Sequence, residues 1–376
     1  MTRNTVFILG GAGFIGHHMG RALRKQGKYV VVFDIKAYCE HTDAIDYFDE
    51  YYCMDLSLRE TPSKNDSSIF YDRDSKPLTH SNEFKYTLQY LPRRDDKSFE
   101  QLLDYYKPTE IYNFACVMGG AGFIFTKLND SKIILDSALI NLNLVQALKN
   151  TDMIDKVKVF YSSSACMYPA YNQEDPSNPK CSEDSAWPAQ PDSAYGLEKL
   201  FSEQVYMIHN RLDKLNVRIA RFHNIFGPEG TWEGGKEKAP AALCRKVAQA
   251  KDGDTIEIWG PGTQTRSFLD IEECIRGIQK LMASDFTGPV NIGSDEMITI
   301  NDLAKMIIGI SGKNLKIKNI DGPVGVMGRN SDNRLIQEKL GWRPTQPLIE
   351  GITKLYKWIN NQTAQIIHEC NTAKCS

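Results

Sequence analysis

Thr5-Val6-Phe7-Ile8-Leu9-Gly10-Gly11-Ala12-Gly13-Phe14-Ile15-Gly16 is the stretch that decides the fold. A short apolar run enters three glycines spaced G-x-x-G-x-x-G. An amphipathic segment follows, with Phe14, Ile15, Met19, Ala22 and Leu23 on one helical face and Gly27 placed to end the helix. Between a strand and a helix, Gly10 permits a tight turn, Gly13 removes a side chain where a pyrophosphate approaches, and Gly16 lets helix and strand pack closely. The free amides of the helix start, at Phe14 and Ile15, then face a phosphate. Asp34 ends the next strand, 18 residues past Gly16. A carboxylate there accepts hydrogen bonds from both ribose hydroxyls and repels a 2′-phosphate. The pattern predicts a dinucleotide site preferring NAD over NADP, with a purely structural glycine turn as the alternative.

Outward from this motif, strands alternate with amphipathic helices, the signature of a parallel sheet covered on both faces. Strands are expected at Tyr29–Phe33, near Tyr51–Leu56, at Ile111–Cys116, Val157–Tyr161 and Val217–Phe222. Helices are expected at Ile133–Leu148 and Ser193–Leu212. The third strand ends around Asp55, which joins the expected cofactor residues. Between about 60 and 97 the chain is rich in Ser, Asp, Asn, Lys and Pro without a sustained period. It reads as a surface insertion, with a short strand conceivable at Phe84–Leu88. Beyond Gly227 the composition shifts toward Gly, Pro and Trp, where a second lobe is expected to begin.

Across 376 residues, hydrophobic side chains make up 41% and charged ones 24%, which excludes a mainly disordered or fibrous chain. A net charge of −2 leaves no basic excess to grip a phosphate backbone, so no nucleic-acid partner is expected. The longest apolar runs fall far below the ~18 residues of a membrane span, so no membrane partner is expected. The N-terminus enters a strand at once and shows no secretory signal. Nine scattered cysteines without a CxxC pair read as reduced thiols in a cytoplasmic protein. Most of them, Cys53, Cys116, Cys166, Cys244 and Cys274, sit in apolar or strand-like surroundings. His17 and His18 are expected to pack or cap and His223 to be structural. No metal-ligand spacing exists, so no metal is expected.

A second chemical signal is Tyr195-Gly196-Leu197-Glu198-Lys199. Positions i and i+4 share a helix face, so the ammonium is expected to depress the phenol's pKa. Such a tyrosine takes a proton from a sugar hydroxyl while hydride leaves the same carbon. The bland alternative is an exposed helix face carrying a tyrosine. Ser162-Ser163-Ser164, about thirty residues upstream at a strand end, sharpens the catalytic reading, because a hydroxyl there reaches the same substrate oxygen.

With these residues the chain resembles the extended short-chain dehydrogenase/reductase family. The resemblance implies an α/β fold: a Rossmann-type doubly wound parallel sheet with a smaller C-terminal α/β substrate-binding lobe. It also implies NAD as cofactor, Ser164, Tyr195 and Lys199 as the catalytic trio, and Tyr195 and Lys199 at the cofactor as well. The expected division is 1–226 for the NAD-binding domain, with a return at 267–292. The nucleotide-sugar lobe takes 227–266 and 293–365, and 366–376 forms a polar tail.

Longer blocks narrow the likeness. Met118-Gly119-Gly120, Ser163 through Pro169, Ala194 through Leu200 and Arg221 through Pro228 are similar to the GDP-mannose 3,5-epimerase family. So are Gly230-Thr231-Trp232, Gly234 through Pro240, Gln264 through Phe268, Asn291 through Met297 and Gly328 through Asn333. That resemblance implies a GDP-sugar substrate, a homodimer joined through two helices, and a product feeding ascorbate synthesis or glycans. It places Met118, Gly119, Gly120 and Ser163 in the substrate site. Arg266 and Arg329 are expected to chelate the diphosphate, assisted by Lys246 and Asn224, and the resemblance implies that Arg329 also reaches the hexose.

The chemistry follows from carbon acidity. Once C4 of a hexose is a ketone, the hydrogens on C3 and C5 become acidic, and inversion needs a base on one face and an acid on the other. Cys166 lies two residues after Ser164, where related 4,6-dehydratases carry the Glu of an Asp-Glu pair. A thiolate there is expected to be favoured by Lys199, the nicotinamide and Lys238. The family assigns Cys166 and Lys238 as base and acid. One departure is Val117, where the family usually shows Asp, which leaves the accepted hexose open. Two other readings remain: a 4-epimerase or 4,6-dehydratase-like sugar-nucleotide enzyme, and a non-catalytic NAD-binding regulator.

Overall fold

A computed structural model of the chain describes residues 3–36, 46–58 and 97–373, with side chains described as far as 365. The insertion expected at about 60–97, including the strand at 84–88, lies outside the described residues up to position 96. The first half contains β1 (Thr5–Leu9), α1 (Phe14–Lys25), β2 (Tyr29–Asp34), β3 (Glu50–Cys53), α2 (Phe99–Tyr106), β4 (Glu110–Asn113) and α3 (Ala121–Ile124). Next come α4 (Asp130–Asn150), β5 (Lys158–Ser164), α5 (Ala194–Asp213), β6 (Asn216–Phe222) and β7 (Ile225–Phe226). The chain continues through α6 (Ala239–Gln249), β8 (Thr255–Trp259), β9 (Thr265–Ser267), β10 (Leu269–Asp270), α7 (Ile271–Ala283) and β11 (Val290–Ile292). It ends with β12 (Met297–Thr299), α8 (Ile300–Ser311), β13 (Lys316–Ile320), β14 (Gly328–Arg329), α9 (Arg334–Leu340) and α10 (Leu348–Ala373).

Seven strands form one parallel sheet in the order β11-β6-β5-β4-β1-β2-β3. Every residue of β1 is buried, as a central strand covered on both faces must be. Alternate side chains feed opposite cores. Val6, Ile8, Val30 and Val32 pack with Met19 and Leu23 of α1 and Ile275 and Ile278 of α7. Phe7, Leu9, Val31 and Phe33 pack on the other face with Leu102, Leu103, Leu144 and Tyr206. Each such side chain contributes about 1.5–3 kcal/mol by leaving water. The strand order reverses between β1 and β4, and Leu9 pairs with both Phe33 and Asn113. That switch point leaves a crevice at the carboxyl ends of the strands, where the glycine turn sits.

A third core joins α6, α8 and α10 through Leu243, Val247, Leu303, Ile307, Ile352 and Ile359. It carries a small sheet, β12-β9-β14, and a parallel β8–β13 pair. The segment around α9, expected with the lobe, puts Ile336 and Trp342 into the first core beside α7 instead. Strand ends differ from the sequence pattern for local reasons. β3 stops at Cys53 because the Asp55 carboxylate takes the amide and hydroxyl of Ser57 at 2.9 and 2.7 Å. β4 stops at Asn113, whose side chain accepts the Ala115 amide at 3.1 Å. The expected polar tail is helical as far as Ala373, since no proline or glycine follows Gly351 to stop α10. Cys53, expected in apolar surroundings, is exposed on β3, an edge strand of the sheet.

Candidate active site

The cofactor crevice starts at Gly10, which has φ +75°; a Cβ there would lie 2.8 Å from the Ala115 amide nitrogen. Only glycine lets this turn lie against the loop after β4. Gly13 caps α1 without a side-chain acceptor, and the first turn carries no acid. The amides of Phe14, Ile15 and Gly16 are thus left to an incoming anion. Asp34 stands at the end of β2, accepting the Ala12 amide at 3.0 Å and the Lys36 amide at 3.1 Å. An open glycine turn, an uncapped helix start and a carboxylate one strand away fit a dinucleotide. Asp55 is exposed and committed to its own turn.

At the end of β5, Ser164 caps a short turn at Ala165–Met167 by accepting the Cys166 amide at 3.2 Å. α5 begins beside it under a Ser193 cap, and Gly196 brings the two segments together. A Cβ at 196 would stand 2.0 Å from the Cys166 carbonyl oxygen. Tyr195 and Cys166 therefore share one wall, together with Cys116, Val117 and Phe123. Lys199 is buried, donates to the Ser162 carbonyl at 2.9 Å and lies 5.7 Å from the Tyr195 ring centre. The phenol is not depressed as expected. Burial pushes Tyr195 well above its usual value, the Cys116 and Cys166 sulfurs add to this, and a hydrogen bond with Ser164 opposes it. Desolvation outweighs an ammonium that is already held by a carbonyl.

The group closest to the Cys166 sulfur is neither Lys199 nor Lys238. Arg329 Nη1 donates to Sγ at 3.0 Å, Nη2 donates to Asp192 at 2.8 Å and Nε donates to Gln173 at 2.5 Å. This arginine, expected at the diphosphate and also at the hexose, faces the thiol, a contact across 163 residues that no local spacing reveals. Lys238 caps α6, its carbonyl accepting the Ala242 amide at 3.0 Å, while its ammonium has no hydrogen bond or ion pair among the described residues. Burial pulls its ammonium down, with Cys166, Cys116 and Cys274 opposing. Its loop is fastened by the Gly120 amide, which donates to the Lys236 carbonyl at 2.9 Å.

Other expected substrate residues take various places. Met118 is exposed and Gly119 is buried at the same loop. Ser163 turns away from the site, as strand alternation requires of a neighbour of Ser164, and donates to the buried Glu203 at 3.0 Å. Asn224, in a left-handed conformation at φ 47°, donates to the Ser267 carbonyl. Lys246 donates to the Glu257 carbonyl at 2.5 Å and is thereby tied to β8. Arg266 donates to the carbonyls of Thr265, Val324 and Val326, and burial together with Arg329 pushes it down to about 10. His223 is buried against Asn291. His17, His18 and Glu229 converge with ligand atoms within 4.8 Å of one another, which their sequence separation concealed. Arg21 shares that carboxylate at 2.6 Å.

Residues 6–293 match the model of the NAD dependent epimerase/dehydratase family. The chain is 40% identical to the GDP-mannose 3,5-epimerase of Arabidopsis thaliana over 358 residues, 95% of this chain and 82% of that protein. Among solved structures, the UDP-glucose 4-epimerase of Thermotoga maritima with UDP-glucose gives a TM-score of 0.71 at 18% identity, covering 96% of this chain and 99% of that one. The Thermus thermophilus UDP-glucose 4-epimerase in complex with NAD gives 0.70 at 19% identity, covering 94% and 98%. These two structural likenesses establish the fold alone. Among the described residues no helix is long and apolar enough to cross a membrane.

Proposed function

The chain belongs to the NAD dependent epimerase/dehydratase family, and we propose that it inverts GDP-mannose at C3 and C5 through a transient 4-keto sugar. The observation that carries this reading is a thiol and a free amine at one centre with the tyrosine–serine pair. Cys166 shares a wall with Tyr195, and the segment that carries Lys238 is tied to the Gly120 loop that follows that wall. A 4-epimerase has no use for the first two groups.

Held by the Gly10–Gly16 turn and Asp34, NAD⁺ would supply the hydride acceptor for C4, a positive charge that favours the Tyr195 phenolate, and later the returning hydride. Tyr195 takes the C4 hydroxyl proton while Ser164 hydrogen-bonds the same oxygen. Lys199 braces the Ser162 carbonyl at the end of β5, which fixes where Ser164 stands. With C4 a ketone, Cys166 accepts the C5 proton: the C–H bond breaks, S–H forms, and the electron pair moves onto the carbonyl oxygen. Lys238 delivers a proton to the opposite face. Inversion at C5 alone gives GDP-L-gulose, and inversion at C3 as well gives GDP-L-galactose.

We also infer a homodimer, supported by exposed apolar side chains on α4 (Leu135, Leu142) and α5 (Leu197, Phe201, Ile208). A cytoplasmic setting is supported by the free thiols among the described residues. The test of function is incubation with GDP-mannose, UDP-glucose or dTDP-glucose in heavy water, read by NMR. Deuterium at C5 and C3 of the GDP-sugar, with no net change in NAD, is the expected result. Inversion at C4 without exchange at C3 or C5 would overturn it.

A further inference from the structure

We propose that Asp192 and Gln173 are positioning residues that lock the Arg329 guanidinium onto the Cys166 sulfur, making this arginine the partner of the working thiolate. The inference rests on Cys166 as the proton-transfer group and adds what holds it ready. Each edge of the guanidinium meets one acceptor from a different segment. Gln173 takes Nε at 2.5 Å from a second short turn at Ala170–Gln173, Asp192 takes Nη2 at 2.8 Å from the loop before α5, and Cys166 takes Nη1 at 3.0 Å. The backbone below is fixed because β14 pairs with β9.

The lock is itself anchored. Gln173 is wholly buried, and its amide nitrogen donates to the carbonyls of Tyr168 and Pro169 at 3.1 and 3.2 Å, which turns its oxygen toward Arg329. Arg329 and Asp192 are each 6% exposed at the side chain, so little water competes for the pair. Burial works against the Arg329 charge, yet Cys166, Asp192 and Cys181 hold it above its ordinary value. A guanidinium carries five donors and no acceptor, so toward sulfur it can only donate. A donor that cannot give up its proton favours thiolate over thiol.

The other titratable groups around Cys166 come from every side: Tyr195 on α5, Lys238 at the start of α6, and Arg266 on β9, while Lys199 lies behind Tyr195. Cys116 follows β4, and Cys181 lies near Arg329. None of these has a hydrogen bond to the Cys166 sulfur among the described residues. Arg329 is therefore the contact whose loss is felt most directly when C5–H breaks and S–H forms. Without Asp192 the guanidinium keeps one tether and can swing off the sulfur.

The experiment measures alkylation of Cys166 by iodoacetamide in the NAD-loaded enzyme without sugar nucleotide, from pH 5 to 9, by peptide mass mapping. Exposed Cys53 serves as the internal control. Asp192→Asn is expected to slow Cys166 alkylation about tenfold at pH 7. Asp192→Glu should restore most of the rate, and Gln173→Met should give a smaller loss in the same direction. Superimposable pH profiles for wild type and Asp192→Asn would overturn the lock, as would equal losses at Cys53 and Cys166. Should Asp192→Asn fold poorly, Gln173→Met alone decides by the same profile. If Cys166→Ala still exchanges C5 hydrogen, the assignment of the base fails separately, while the alkylation profile still reports on the lock.

Discussion

The Gly120 amide donates to the Lys236 carbonyl at 2.9 Å, so the glycine loop after β4 holds the segment that carries Lys238. The approach is too close for any side chain, since a Cβ at 120 would stand 2.2 Å from the Glu237 carbonyl oxygen. Gly120→Ala must push that loop outward and move Lys238 away from the site. The expected loss in kcat/KM is at least about tenfold, or roughly 1.4 kcal/mol of transition-state stabilisation. NAD affinity should be unchanged, because the cofactor turn lies elsewhere. Steady-state kinetics with an NAD titration tests this, and undiminished turnover would refute it.

Asp34 reaches the Ala12 amide of the glycine turn, and its position at the β2 end sets it against the ribose. Asp34→Asn keeps the shape and removes the charge. NAD is expected to bind about tenfold more weakly and discrimination against NADP to shrink, since the repulsion toward a 2′-phosphate is gone. Titration calorimetry with both nucleotides measures it. Equal affinity of wild type and variant for NAD, with NADP still rejected, would show that the carboxylate serves only the turn.

Two histidines, buried His223 and half-buried His18, set an acid limit on stability. Burial pushes His223 down to about 3; burial and then the neighbouring His17 push His18 down to about 4. In the unfolded chain each takes a proton near 6.5, while the folded chain keeps them neutral. Above that pH neither state binds the proton and the pair has no effect. As pH falls below it, the unfolded state binds more protons and stability declines, by up to about 1.4 kcal/mol per pH unit for each group. Melting temperature measured from pH 7.5 to 5 should fall less steeply in His18→Gln than in wild type. Parallel curves would contradict the assignment.

Phe201 is 47% exposed on α5 among other apolar side chains. A charge placed there should split a dimer, because an unpaired carboxylate in an apolar contact is strongly unfavourable. Phe201→Asp is expected to halve the mass seen by light scattering without changing the melting profile greatly. A wild-type chain already monomeric at micromolar concentration would remove the dimer altogether.

The sheet was legible in the sequence because strands buried on both faces announce themselves as short apolar runs, and the glycine spacing needs only its immediate neighbours. Tyr195 and Lys199 were legible for the same reason, one helical turn apart. Strand ends were less so: Asp55 with Ser57, and Asn113 with Ala115, cut the strands by local side-chain hydrogen bonds that an apolar pattern does not weigh. What the sequence hid is long-range. Arg329 on Cys166, Ser163 on Glu203 and Glu229 on His17 join residues far apart along the chain. Burial, a tertiary property that the helix spacing does not show, outweighs the ammonium one turn away and raises Tyr195.

Replacing the Cys166 thiol by a methyl group in Cys166→Ala, and following GDP-mannose in heavy water by NMR, puts the thiol base on trial most directly. The variant should still bind NAD, since its amide contact to Ser164 is a backbone one. Deuterium entry at C5 should fall at least a hundredfold, about 2.7 kcal/mol or more. Deuterium entering C5 at the wild-type rate would mean that another group takes the proton.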